Sequence, residues 1–356
     1  MRGTWLAIGG VLGVGCFAGC GGDSAADPGS GGQVGTGGAA GAGGAAGSSG
    51  AAGSFQGVAG CSAEPPAGAD QAAPLPTYGG TCPTLAAGEN SLDSSGAERK
   101  FRLALPADLK ADESPPIIFL WHWLGGDAED FYERGEVQKA VDSQRFIAVL
   151  PEKKGDVLFT WPMDALSSQA RLEEELRFFD DMLACVGAQF SVNRNCVSTV
   201  GVSAGALWSA QLAGARGQHL SSFISLSGGT GGTAIKPWKP SVHAMPAIVL
   251  WGGPTDTCQG ILSFQTMSGD LENGLQSGGH FFLECVHNCG HSEPPFSGGA
   301  SAYEGLWQFV LDHPFWLPAG YSPYSQALPS TLPAWCGIGK GSAVPRTGAC
   351  DNPSQC

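Results

Sequence analysis

The stretch "CVSTVGVSAGALWSAQLAGA" (196–215) decides how this chain is read. Its first seven residues are mostly apolar or β-branched, as in a strand covered on both faces. Its last twelve, from Ala204, are small residues and leucines that favour a helix. Ser203 stands at the joint, flanked by Gly201 and Gly205, so the pattern Gly-x-Ser-x-Gly falls on a strand-to-helix turn that would lift the hydroxyl out of a sheet. With 56 glycines in 356 residues the bare pattern would arise by chance about once. The strand before it and the helix after it are the context that a chance match lacks.

The elements around this stretch alternate. "RKFRLALP" (99–106) places Phe101, Leu103 and Leu105 on one face, as an edge-type strand does. "PPIIFLWHW" (115–123) and "RFIAVLP" (145–151) are continuous apolar runs of buried strands. A loop with two glycines follows the first of them, and Asp127 is placed to cap the next helix. From 167 to 190, Leu172, Leu176, Phe179, Leu183, Val186 and Phe190 recur at helical spacing. "SSFISLSGG", "AIVLWGG" (247–253) and "HFFLECV" (280–286) read as further strands, and 302–311 as a closing helix. Strands alternating with helices predict an α/β fold, with a mostly parallel sheet and helices on both faces.

A serine nucleophile needs a base and an acid that orients the base. Asp256, in "WGGPTDTC", follows one predicted strand, and His291, in "CVHNCGHSEPP", follows the last. Both therefore belong to loops at the carboxyl edge of a parallel sheet, where sites in open α/β sheets form. Asp164, Asp270 and Asp312 fit the order Ser, Asp, His or its location less well, and His287 is the alternative base. The amide of Ala204 and that of Leu124 or Trp123, in "WHWLGG" (121–126), would form the oxyanion hole, with His122 bracing the loop. Trp161, Trp208 and Trp251 fall near loop or elbow segments, where they would line a cleft for substrate. The run Cys285, His287, Cys289, His291 has ligand types that zinc accepts, but disulfides compete for those thiols, so no metal or other cofactor is expected.

Composition bounds the rest. Eighteen basic against 32 acidic residues, a net charge of −14, argue against a nucleic-acid partner. The start, "MRGTWLAIGGVLGVGCFAGCGG", joins one arginine, a short apolar run and small residues, as an export signal does. "FAGC" (17–20) resembles a bacterial lipoprotein cleavage box in which Cys20 would carry the lipid, with Cys16 or ordinary signal cleavage as alternatives. Residues 1–20 are thus read as a lipoprotein-type signal, 21–60 as a flexible Gly/Ala/Ser tether, and 61–94 as a disulfide-pinned lead-in, with the fold beginning near Gly80. The domain proper spans 95–316, and 317–356 is a Cys/Pro-rich tail pinned by disulfides. A lipid at Cys20 would be the sole membrane attachment.

Twelve cysteines less Cys16 and Cys20 leave ten, hence five disulfides. The expected pairs are Cys61 with Cys82, Cys185 with Cys196, and Cys258 with Cys285 or Cys289, the last clamping the acid loop to the base loop.

"FLWHWLGG", "GVSAGA", "GGPTDT" and "NCGHSEP", in this order and spacing, resemble the secreted α/β-hydrolases that include poly(3-hydroxybutyrate) depolymerases, feruloyl esterases and acetylxylan esterases. The resemblance covers about residues 95–316. It implies an α/β-hydrolase fold and an extracellular serine esterase whose triad is Ser203, Asp256 and His291, acting on a polyester or a related ester. De-esterification of plant polysaccharide is the alternative. Two positions depart from the family pattern, Trp123 where a glycine usually follows the histidine and Glu293 where an aromatic usually precedes the proline. They motivate a third reading, a hydrolase fold that only binds.

Overall fold

The computed structural model describes residues 60–296, 299–351 and 356. The export-signal and tether readings, with Cys16 and Cys20, lie outside the described residues apart from Gly60.

In chain order the elements are β1 (Gly88–Ser94), β2 (Ala97–Ala104), β3 (Ile117–Trp121), α1 (Ala128–Arg134), α2 (Val137–Gln144), β4 (Ile147–Pro151) and α3 (Gln169–Gln189). There follow β5 (Val197–Val202), α4 (Ala204–Arg216), β6 (Ser222–Leu226), β7 (Ala247–Trp251), β8 (Thr257–Cys258), β9 (Leu262–Ser263), α5 (Phe264–Ser277), β10 (Phe282–Val286), α6 (Glu304–Leu311) and β11 (Cys336–Ile338). Asp127 caps α1 by accepting the amide of Asp130 at 2.8 Å, and Ser168 caps α3 through Arg171 N at 3.1 Å.

Nine strands form one sheet in the order β1-β2-β4-β3-β5-β6-β7-β10-β11. The six from β4 to β10 run parallel, and the antiparallel strands sit at the two margins. Alternate residues of each central strand feed two separate cores. Ile117, Phe119 and Trp121 of β3 pack with Leu176 and Phe179 of α3, Leu207 and Trp208 of α4 and Leu271 of α5. Ile118 and Leu120 pack on the other side with Phe131 of α1, Val141 of α2 and Leu306 of α6. The sheet therefore has helices on both faces, and its central strands are apolar throughout because both faces are covered.

Three sequence expectations need correction. The fold takes in the chain from Gly60, and the first strand, β1, lies inside the segment read as a lead-in. β2 is consequently not an edge, since it pairs with β1 on one side and β4 on the other. The disulfides are Cys61–Cys196, Cys82–Cys185, Cys258–Cys356, Cys285–Cys336 and Cys289–Cys350, and none of the expected local pairs forms. Nearness in sequence misled because the lead-in and the tail pack back onto the sheet. Cys61 lies 5.9 Å (Cα–Cα) from Cys196, the residue just before β5, and Cys82 lies 5.4 Å from Cys185 on α3. Five disulfides are those of a chain that folds in an oxidising compartment. Among the described residues no helix is long and apolar enough to cross a membrane.

Candidate active site

Ser203 occupies a sharp turn between β5 and α4, with φ 54° and ψ −116°, a conformation costly for any residue with a Cβ. The flanking glycines make the turn possible. A Cβ on Gly201 would lie 2.0 Å from the carbonyl oxygen of Gly205, and one on Gly205 would lie 1.9 Å from that of Trp121. The turn is anchored by Ser203 N donating to Leu226 O at 2.8 Å. The motif is thus a steric requirement of a helix that starts directly against the neighbouring strand β3.

His291 and Asp256 arrive from the ends of β10 and β7. The Oγ of Ser203 lies 2.8 Å from His291 Nε2, and His291 Nδ1 lies 2.7 Å from Asp256 Oδ1. A carboxylate can only accept, so Nδ1 carries the proton and Nε2 is left free to accept from the serine hydroxyl. Asp256 is fully buried, and its other oxygen, Oδ2, accepts from Ser227 Oγ at 2.8 Å and Gly252 N at 2.7 Å. Those donors satisfy a charge that would otherwise be very costly to bury. The ring of Phe264, first residue of α5, stacks on the His291 imidazole at 4.2 Å between centroids. Close backbone approach holds the two loops together, since a Cβ on Gly252 would lie 1.9 Å from Gly290 O.

The alternative base is placed elsewhere. His287 is fully buried beside Trp335, and its Nδ1 accepts from Cys289 N at 3.2 Å. Burial pushes it down to about 4, which keeps it neutral. Cys285 and Cys289, the other members of the candidate metal run, are both disulfide-bonded.

The loop 121–126 lies across the turn from Ser203. His122 is buried and lowered to about 4 by desolvation, so it is neutral, and its Nδ1–H donates to Trp123 O at 3.0 Å. Gly126 N donates to the same carbonyl at 3.1 Å. In a trans peptide the carbonyl and the next N–H point opposite ways, so tying down Trp123 O also fixes the direction of the Leu124 N–H. Ala204 is the first residue of α4, and its N–H has no acceptor within the helix. The bulk of Trp123, where the family pattern has glycine, is accommodated by Gly126, whose Cβ position lies 2.7 Å from the indole. Glu293, the other departure, receives Arg134 Nε at 2.6 Å, and the Arg134 guanidinium lies 4.9 Å from the centre of the Trp123 ring.

A cavity of about 450 Å³ opens over Ser203 and His291, walled by Trp123, Leu124, Phe131, Leu226, Tyr303 and Trp307. Of the three tryptophans expected to line a cleft, Trp161, Trp208 and Trp251, none lines this cavity; Trp123 of the oxyanion loop does. Trp161 and Trp208 are fully buried and pack edge-on against Trp121 beneath the serine turn, at 5.0 and 5.9 Å. Trp161 Nε1 also donates to His122 O at 2.9 Å. Trp251 is 6% exposed and belongs to the core on the α3–α5 side, as strand alternation puts it on the same face as Val249. A larger groove of about 1060 Å³ lies elsewhere, around Cys61, Pro115, Arg145 and Asn193, and its lining holds no histidine.

Sequence reasoning passed over Ser227, Phe131, Arg134, Phe264, Tyr303 and Trp307. Ser227 had a signal, since it follows the buried strand β6 at the same sheet edge as Ser203. Trp307 had none, because its position depends on how α6 packs.

No protein-family model matches the chain, and no curated protein matches it. Solved structures do. A complex of a pOPH variant with DMSO superposes with a TM-score of 0.58 at 14% identity, over 79% of this chain and 98% of that one. Native sOPH gives 0.57 at 16% identity, over 74% and 97%. A ferulic acid esterase gives 0.47 at 14%, over 63% and 96%. The likeness to pOPH and sOPH is one of fold, and that fold is the α/β-hydrolase expected from the sequence resemblance.

Proposed function

We propose that the chain is an exported serine esterase, a carboxylic ester hydrolase that acts through an acyl-enzyme on an ester outside the cell. The observation that carries the reading is the unbroken hydrogen-bonded chain from Ser203 through His291 to buried Asp256, opening into an apolar cavity.

Each step has a residue. Ser203 Oγ attacks the ester carbonyl while His291 Nε2 takes its proton. The imidazolium that forms is stabilised by Asp256, whose second oxygen accepts from Ser227 Oγ and the Gly252 amide. Charge developing on the carbonyl oxygen meets the amides of Ala204 and Leu124, with Trp123 the alternative donor of the same loop. His291 then returns its proton to the leaving alcohol, and water repeats the sequence to release the acid. No cofactor enters this scheme.

The substrate reading is a polyester such as poly(3-hydroxybutyrate) or a related ester. The apolar walls from Phe131 to Trp307 support an acyl group without charge. The aromatic character of those walls also suits a feruloyl group on plant polysaccharide, the second reading. A lipid on Cys20 followed by the Gly/Ala/Ser tether would hold the enzyme at the cell surface while letting it reach insoluble material. Hydrolysis of p-nitrophenyl butyrate by the oxidised protein, beside its Ser203→Ala variant, tests the activity. Loss by about 10⁴-fold or more in the variant supports the scheme. A folded, oxidised wild type that cleaves no ester would overturn it and favour a hydrolase fold that only binds.

A further inference from the structure

The hydrogen bonds of the triad hold His291 along one line, from Asp256 Oδ1 through the imidazole to Ser203 Oγ. A hydrogen bond tolerates a misalignment of about 30°, so these two contacts alone leave the ring able to tilt and swing Nε2 away from the hydroxyl. His291 stands on a loop, and its side chain is 11% exposed. The face of its ring is covered by Phe264.

Phe264 is brought there by the chain that leaves the acid. After Asp256 the chain makes a short hairpin, β8 against β9, with Thr257 opposite Ser263 and Cys258 opposite Leu262. The hairpin returns the backbone to Asp256, and α5 starts there. Ser263 caps that start by accepting Thr266 N at 3.3 Å. Phe264 is the first helical residue, so its amide has no acceptor within the helix, and it donates instead to Asp256 O at 3.0 Å. Its ring is 1% exposed and lies 16° from the plane of the imidazole, with 4.2 Å between centroids. One residue thus touches the acid through its backbone and the base through its side chain. The helix behind it is firmly seated, since Phe264, Met267, Leu271 and Leu275 share a core with Val249 of β7.

We propose that Phe264 is a positioning residue of the active site: its ring fixes the tilt of His291, and its amide ties that ring to the backbone of Asp256, so that acid and base keep one relative orientation. The inference rests on the esterase reading for its kinetic consequences, and on geometry for the stack itself. Among the described residues, those that line the cavity do not include Phe264, so its loss removes no contact with substrate. It should act on the chemical step alone, where misplacement of a reacting group on the order of 1 Å can cost about 100-fold.

The test uses the full oxidised chain with Phe264→Leu, which keeps most of the apolar volume and removes the flat face. The control is Leu275→Val, which trims the same core three turns along α5. Expected for Phe264→Leu is a kcat lower by roughly 10- to 100-fold, equally for p-nitrophenyl butyrate and octanoate, with KM within about twofold. The low-field proton resonance of His291 Nδ1–H should broaden or disappear. Expected for the control is a lower Tm with kcat and resonance retained. If Phe264→Leu does not fold, Phe264→Met carries the test, because its flexible thioether fills the space without a flat face. A kcat within about twofold of an active wild type, a loss that appears only as a raised KM, or an equal fall in the control would overturn the inference and leave the esterase reading standing. If the wild type cleaves no ester, the esterase reading falls, and the resonance alone decides whether Phe264 positions His291.

Discussion

Ser227 Oγ donates to Asp256 Oδ2 across 2.8 Å, on the side of the carboxylate away from His291. Gly252 N supplies the second bond to that oxygen. A hydrogen bond to a buried charged group contributes about 1.5–3 kcal/mol. Ser227→Ala should therefore leave one oxygen of the buried carboxylate short of a donor and loosen the orientation it gives the imidazole. The expected result is a kcat about tenfold lower with KM nearly unchanged. Steady-state kinetics check it, and an unchanged kcat would show that the Gly252 amide suffices.

Gly205→Ala and Gly269→Ala should behave oppositely. The first places a Cβ 1.9 Å from the carbonyl oxygen of Trp121, a backbone atom that cannot move without breaking the β3–β5 register. It should cost at least about 3 kcal/mol. The second adds a Cβ on α5 whose nearest neighbour is Lys340 Nζ at 3.7 Å, and removing a helix glycine should gain about 0.5–1 kcal/mol. Thermal unfolding of the two variants tests the pair.

Stability should peak near neutral pH. His122, His243, His287 and His313 are each lowered to about 4, chiefly by burial. Unfolded histidines titrate near 6.5, so this contribution is complete above about pH 6.5 and is lost as pH falls toward 4. Glu272, buried near Glu284, is raised to about 8. Its unfolded carboxyl gives up a proton near 4.3, so its contribution is complete below that value and declines as pH rises to about 8. Tm measured from pH 4 to 9 should climb and then fall. Glu272→Gln should flatten the alkaline limb, and an equal decline in the variant would remove Glu272 as its source.

Glu293→Gln should affect substrate choice more than stability. Its ion pair with Arg134 is about one-third exposed on both sides, where such pairs contribute at most about 1 kcal/mol. Yet it ties the base loop to α1 at the cavity mouth, with Arg134 lying over Trp123. A Tm within about 2–4 °C of wild type, together with a severalfold change in kcat/KM between butyrate and octanoate esters, is expected. Identical ratios would place the pair outside substrate recognition.

Local signals carried much of the fold because each reports a neighbour that is close in sequence or a face that is buried. Continuous apolar runs marked β3, β4 and β5 since both sheet faces are covered. Helical spacing marked α3, and Asp127 marked the start of α1. β1 escaped notice because "GENSLDS" (88–94) is a margin strand, with polar residues on its open face. β11 escaped because three residues in a proline-rich tail show no period.

The triad positions were legible for the same reason: parallel strands end at one edge of the sheet, so Ser203, Asp256 and His291 had to follow β5, β7 and β10. Gly201 and Gly205 could be read as a motif, but the carbonyls that exclude a side chain there belong to a helix start and to β3. Which tryptophans shape the cleft was decided by packing, since Trp161 and Trp208 turn inward beneath the serine and Trp307 reaches the cavity only because α6 lies over it. The disulfides went the same way. Any two cysteines can pair if folding brings their Cα atoms within about 6 Å, and it was the return of the lead-in and the tail onto the sheet that chose Cys196, Cys185, Cys289 and Cys258 as partners. Sequence determined which residues carry chemistry and on which edge they stand; long-range packing decided which surfaces meet, because no local pattern encodes contacts made across more than a hundred residues of chain.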